Sequence, residues 1–106
     1  MQILINSTNA LDAQELRIEA LKTATREKLS RFADRISRVE LHLSDVNADG
    51  GGVDKRCVLE VRPNGLEPVV TTNEAETVDK AIHAATRKML GLLETTFGKL
   101  TSRHGH

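Results

Sequence analysis

The histidine, cysteine and acidic residues could support catalysis or metal binding, but their spacing favours neither. The four histidines lack the separation of a metal-ligand set; they are His42, His83, His104 and His106. Cys57 falls at an inward position of a strand pattern, which indicates a buried, inert thiol. Asp45 and Asp49 accompany the glycine-rich loop at residues 47–52 and are interpreted as solubilising loop residues, and Gly50–Gly52 lacks the Lys-Ser/Thr of a phosphate-binding loop. We therefore predict no enzyme activity, no catalytic residues, no metal site and no cofactor.

Basic side chains are the second chemically informative set, because long flexible cations bind nucleic-acid phosphates. Beside the apolar stripes of two helical patterns lie Arg17, Lys22, Arg26, Lys28, Arg31 and Arg35, and then Lys80, Arg87 and Lys88. The 15 Lys and Arg residues are balanced by 15 Asp and Glu residues, which argues against an indiscriminate nucleic-acid binder. Charge alone favours solvated helices with i,i+4 ion pairs. Since Phe32 and Phe97 are the only aromatic residues, base stacking is not expected as a main mode.

The first third of the chain predicts a short strand and a long helix. Residues 2–6 read as a strand, with Ile3 and Ile5 on one face. Asp12 and Glu15 have the spacing of a capping box. Apolar residues then return to one side every 3.6 positions, which predicts a helix at roughly 13–33.

Three strands follow this helix. Residues 37–45 alternate between apolar and polar, and alternation resumes at 57–61, as expected for half-buried strands. Residues 63–65 contain Asn-Gly, a strong hairpin signal, and 66–72 form the return strand. Pro68 indicates an edge strand, because proline cannot donate to a ladder.

A second long helix closes the chain. Asn73 and Glu76 resemble another capping box, and the helix is predicted to run to about residue 100. Its predicted core stripe is Val78, Ala81, Ile82, Ala85, Met89, Leu92 and Leu93. Residues 102–106 are expected to form a disordered tail.

The element order β-α-β-β-β-α predicts an α+β domain over residues 1–106, with a four-stranded sheet and both helices packed on one face. The single cysteine cannot form an internal disulfide, which favours a cytosolic location. No apolar run approaches the ~20 residues of a membrane span. The first residues lack the features of a signal peptide.

Several local motifs together resemble the ribosome hibernation-promoting factors, a ribosome-associated inhibitor family that includes the sigma-factor modulation proteins. The motifs are Lys28-Leu29, Phe32-Ala-Asp-Arg-Ile36 leading into Val39-Glu-Leu-His-Leu43, Asn64-Gly65, and Ala81-Ile82 with Lys88. The resemblance covers almost all of the chain and is to the short type of this family. It implies a fold similar to that of double-stranded-RNA-binding domains. It implies a bacterial stress-response protein whose helical Lys and Arg contact small-subunit ribosomal RNA and block the tRNA and mRNA sites. The nine basic residues above are therefore the predicted RNA-binding set.

One stretch of the last helix departs from that family. Family members typically carry Lys and Arg in its second half, whereas Gly91–Gly98 contains a single charged residue, Glu94. Leu90 and Phe97 lie off the predicted core stripe. They either pack against the first helix or form a contact with a protein partner or a second copy. The second option supports an alternative function, a protein-interaction module on the same fold that has lost strong RNA binding.

Overall fold

The computed structural model describes residues 1–8, 17–46 and 55–104, with side chains described as far as Gly98. The elements are β1 (Gln2–Ser7), α1 (Ile18–Lys28), a 3₁₀ helix (Ser30–Arg35), β2 (Ile36–Asp45), β3 (Lys55–Pro63), β4 (Val69–Ala75) and α2 (Val78–His104). This order confirms the predicted β-α-β-β-β-α arrangement.

The four strands form one mixed sheet in the order β1-β2-β3-β4. β1 runs parallel to β2, with Ile3 opposite Val39, whereas the other neighbours are antiparallel. A parallel pair needs a crossover connection, and the segment containing α1 and the 3₁₀ helix provides it. β4 pairs with β3 alone among the described strands, so it is an edge strand as predicted. Gly65 supplies the positive φ, 74°, in the turn between them.

The core lies between the sheet and the two helices. The inward residues of β2 and β3 are buried, with Leu41 paired to Leu59 at their centre. Leu21 of α1 and Met89 of α2 belong to the same apolar cluster. Because both helices bury their stripes in this cluster, they cover one face of the sheet, as predicted.

The first helix ends earlier than predicted. α1 stops at Lys28, and Leu29, with φ −97° and ψ 6°, leads into the 3₁₀ helix. The backbone N–H of Phe32 donates to the carbonyl of Leu29 at 2.9 Å. This tighter turn buries Phe32 and brings Ile36, also buried, directly into β2. The predicted capping box at Asp12 and Glu15 lies outside the described residues.

The boundaries of β4 and α2 also differ from the prediction. Asn73 is not a helix cap, because it pairs with Cys57 in the sheet. The cap is Thr77, whose Oγ1 accepts the backbone N–H of Lys80 at 3.1 Å. The strand therefore continues to Ala75, through a β-branched run that favours extended backbone. At its other end α2 extends to His104, past the predicted limit of 100.

The prediction that Leu92 belongs to the core stripe of α2 is wrong. Leu92 is 43% exposed, whereas Phe97 is only 4% exposed. The buried stripe continues from Met89 through Leu93 to Phe97 in steps of four residues, which is one face of a helix. Within the described part of the chain, neither helix has the length and apolarity needed to cross a membrane.

Candidate nucleic-acid interface

The six basic residues of the first helical pattern occupy two different elements. Lys22, Arg26 and Lys28 lie on α1, and Arg17 directly precedes it. Arg31 and Arg35 lie instead on the 3₁₀ helix, which corrects their predicted place beside the apolar stripe of one long helix. All six are exposed except Lys22, which is half-buried. The early end of α1 thus separates the cations into two groups.

Arg17 and Lys28 of the first group line a cleft of 270 Å³ between α1 and α2. Arg17 Nη2 lies 3.9 Å from Asp79 Oδ2 at this cleft. Lys28 Nζ lies 2.9 Å from His83 Nδ1, and because an ammonium group only donates, His83 accepts through that nitrogen. The cleft lining consists of Arg17, Ala20, Leu21, Ala24, Lys28, Asp79 and Ile82. Two cations, one on α1 and one directly before it, therefore line a cleft that both helices form.

The second group is an arginine–phenylalanine cluster that consists of Arg31, Phe32, Arg35 and Phe97. The guanidinium of Arg31 lies 4.7 Å from the centroid of the Phe32 ring. That of Arg35 lies 4.0 Å from the Phe97 centroid, and the two rings are 5.2 Å apart. Cation–π contacts of this kind hold a guanidinium over an aromatic face. Both arginines therefore lose less side-chain freedom on binding an anion than free arginines would.

Glu94 of α2 forms an ion pair with Arg31. Both side chains are more than half exposed, so solvent screens the attraction. The carboxylate still offsets the positive charge that Arg31 presents. An incoming phosphate would have to share this guanidinium or displace Glu94.

The three predicted cations of α2 are all exposed. Lys88 Nζ donates to the backbone carbonyl of Thr72 at 3.5 Å, which directs it toward the β4 edge. Arg87 and Lys88 border a shallow depression with Ala84. These cations therefore extend the basic surface along α2, away from the arginine–phenylalanine cluster.

Comparison with known proteins identifies the family. Residues 18–101 match the family described as sigma 54 modulation protein / S30EA ribosomal protein. The chain belongs to this family. The match covers α1, all three strands of the antiparallel part of the sheet and nearly all of α2. It confirms the resemblance found from the sequence, because the S30EA family is one of ribosome-associated factors and is not an enzyme family.

Two solved structures resemble this S30EA protein in fold. A ribosomal subunit interface protein from Coxiella burnetii superposes with a TM-score of 0.65 at 21% identity, covering 96% of this chain and 99% of that one. The N-terminal domain of Thermus thermophilus Protein Y gives a TM-score of 0.63 at 18% identity, with 89% and 94% covered. No curated protein matches the sequence. At these identities the likeness establishes the shared fold.

In this S30EA protein the second half of α2 packs into the core through its buried side chains. Phe97 packs on Phe32, and Leu90 is partly buried against the core cluster. Of the two options left open for Leu90 and Phe97, packing within the chain is therefore the one observed for Phe97, which is buried. Gly91 and Gly98 are exposed and face open space, so these two positions present no side chain to a partner.

The structure also places the cysteine and aspartates considered as chemical groups. Burial raises the pKa of Cys57 to about 12, so its thiol stays protonated near neutral pH, as predicted for an inert core residue. Asp45 pairs with Lys55 at 3.3 Å where β2 ends and β3 begins. Asp49 lies outside the described residues.

Proposed function

We propose that this protein inhibits translation by binding small-subunit ribosomal RNA and blocking the sites of tRNA and mRNA. The action is occupancy, without a chemical step, in the cytoplasm where ribosomes work. Family membership supports a ribosomal partner. The observation that carries the RNA contact is the set of exposed cations on two helices that share one sheet face.

The charge distribution supports this proposal despite the zero net charge. Residues 17–35 contain six Lys and Arg but only three Asp and Glu. The described part of α2 up to Gly98 contains three Lys and Arg and two acidic residues. The excess of positive charge thus concentrates on residues 17–35, while the rest of the chain carries the compensating acids. We propose that α1 and the 3₁₀ helix carry more of the RNA contact than α2.

The arginine–phenylalanine cluster adds a reason to favour RNA phosphates. Arg31 and Arg35 are ordered by ring contacts before binding. A guanidinium offers several donors in a fixed plane, which suits phosphate oxygens. Such contacts position a protein on RNA but read little sequence, so we expect recognition of ribosomal RNA shape and backbone.

Co-sedimentation with purified small subunits at two salt concentrations tests the proposal. Each neutralised phosphate releases counterions, so contact with about six phosphates would lower affinity by roughly 10³-fold between ~50 and ~200 mM salt. We expect the protein to pellet with subunits at the lower concentration and to be released at the higher. Addition of tRNA and mRNA should also release it. Failure to pellet at either concentration would overturn the proposal.

Binding that ignores salt would instead support the alternative, a protein-interaction module. The structure weakens this alternative, because Phe97, one of the two residues on which it depended, is already buried.

A further inference from the structure

A histidine and two glutamates converge on the outer face of the sheet, opposite the helices. Glu40 and His42 lie two residues apart on β2, so they share one face. Glu60 of β3 is the direct register partner of Glu40. One ligand atom from each of the three side chains lies within 4.8 Å of the others. His42, which sequence spacing alone did not place in a metal-ligand set, is thus part of a mixed imidazole–carboxylate cluster.

The cluster places two like charges opposite each other. Carboxylates paired directly across neighbouring strands repel. The side chains of Glu40 and Glu60 are only 14% and 22% exposed, so water screens this repulsion incompletely. A cation between them would relieve it.

Two arginines compensate the carboxylates only in part. Arg38 Nε lies 2.8 Å from Glu40 Oε1, but this buried nitrogen makes no hydrogen bond, so the contact is an ion pair without hydrogen-bond alignment. Arg62 Nη2 is 3.7 Å from Glu60 Oε2. Arg38 uses one oxygen of Glu40 and leaves Oε2 facing His42 Nε2 at 3.2 Å. An arginine on the far oxygen can orient a metal-binding carboxylate from outside the ligand set.

We infer that Glu40, His42 and Glu60 bind a divalent transition-metal ion of the Zn²⁺ type. Zn²⁺ accepts imidazole nitrogen and carboxylate oxygen at about 2.0–2.2 Å, and three protein ligands leave one tetrahedral position for water. Ligand atoms around such an ion are about 3.4 Å apart. His42 and Glu40 already have nearly that separation. Glu60 must approach by roughly 1 Å, which rotation of an extended side chain allows.

Asn6 of β1 supports the histidine from its other side. Its Nδ2 lies 3.5 Å from His42 Nδ1. When Nε2 of His42 binds a metal, Nδ1 carries the proton. Rotation of the Asn6 side-chain amide by about 180° then lets its oxygen accept a hydrogen bond from this N–H. Metal-bound histidines commonly donate their second N–H in this way. The ion would therefore link β2 to β3 directly and β1 through Asn6, on the face that the proposed RNA surface does not use.

Calorimetric titration of the purified full chain with Zn²⁺ tests the inference, and Co²⁺ absorption reports whether the coordination is tetrahedral. We expect one saturable site. His42→Ala and Glu60→Gln should each weaken it by about 10-fold or more. The matched variants His83→Ala and Glu74→Gln, which remove the same groups elsewhere, should bind like the parent.

The histidines at positions 104 and 106 require their own control, because neighbouring imidazoles bind metals unaided. His104→Ala/His106→Ala should retain the site. Loss of binding in this variant, unchanged binding in His42→Ala, or no saturable binding by the parent would each overturn the inference. Because Glu60→Gln lies away from the helices, it should still pellet with small subunits whenever the parent does, so the two proposals fail separately.

Discussion

The guanidinium of Arg35 lies 4.0 Å from the centroid of the Phe97 ring, so a residue of α2 holds in place a cation of the 3₁₀ helix. Phe97 is itself 4% exposed, and its ring packs at a tilt against that of Phe32. Core packing and the position of a proposed RNA-binding group therefore depend on the same side chain.

Phe97→Ala should lower the free energy of unfolding by about 3–5 kcal/mol, because it leaves a cavity beside Phe32. Urea unfolding followed by circular dichroism measures the loss. Leu92→Ala is the matched control on the same helix. Because Leu92 is 43% exposed, its replacement should lower the free energy of unfolding by less than ~1 kcal/mol. Equal losses from the two variants would show that the phase of the α2 stripe is misassigned.

Lys28→Gln/Arg31→Gln should weaken small-subunit binding by about 10-fold or more, since it removes one cation from each basic group. Lys80→Gln/Arg87→Gln removes the same amount of charge from α2 and should weaken small-subunit binding less. Co-sedimentation at fixed salt compares the two, and urea unfolding verifies that both variants stay folded. If the α2 variant loses more binding, the assignment of the main contact to α1 and the 3₁₀ helix is wrong.

Glu94→Gln should strengthen small-subunit binding severalfold, because it frees Arg31 from its carboxylate partner. Glu67→Gln, an exposed glutamate between β3 and β4, controls for the general effect of removing one negative charge. Binding curves measured over a salt series should distinguish the two variants. At low salt, Glu94→Gln should increase the affinity for small subunits more than Glu67→Gln does. Identical curves would show that the ion pair with Arg31 has no influence on RNA binding.

Cys57 should resist a thiol-specific reagent at pH 8 in the folded protein and react once urea unfolds it. Its pKa is raised from 9.0 to about 12 by burial, so the unfolded chain releases this proton at lower pH than the folded one. The resulting contribution to stability is present below pH 9 and is lost as pH rises from 9 toward 12. Labelling kinetics at pH 8 and unfolding curves at pH 8 and 10 measure both effects. Rapid labelling without urea would contradict the burial.

Features that depend only on local sequence patterns could be predicted, whereas features that depend on tertiary contacts could not. The alternation that places Leu41 and Leu59 inward needs only the period of a strand, and it was confirmed. The end of α1 was missed because a 3₁₀ turn at Leu29 depends on where Phe32 must be buried, which is a tertiary constraint. Asn73 mimicked a cap signal, but pairing with β3 prevailed over it.

Eight of the nine predicted cations are exposed and Lys22 is half-buried, and the roles of all nine in RNA binding stay predictions. Their partners could not be foreseen. The contacts of Arg31 with Glu94 and of Arg35 with Phe97 cross between elements far apart in sequence. The proximity of Glu60 to His42 likewise depends on strand register, which alternation alone does not fix.

The parallel pairing of β1 with β2 has a consequence for the synthesis of this chain. Gln2 finds its partner at Arg38, 36 residues later. β1 must therefore wait until the whole crossover and β2 have been synthesised before its backbone groups can pair, whereas β3 and β4 follow one another through a tight turn. Long-range parallel pairing forms slowly, because the loop must close before any contact compensates its entropy. β1 is thus synthesised before the other three strands of the sheet but is among the last of them to be paired.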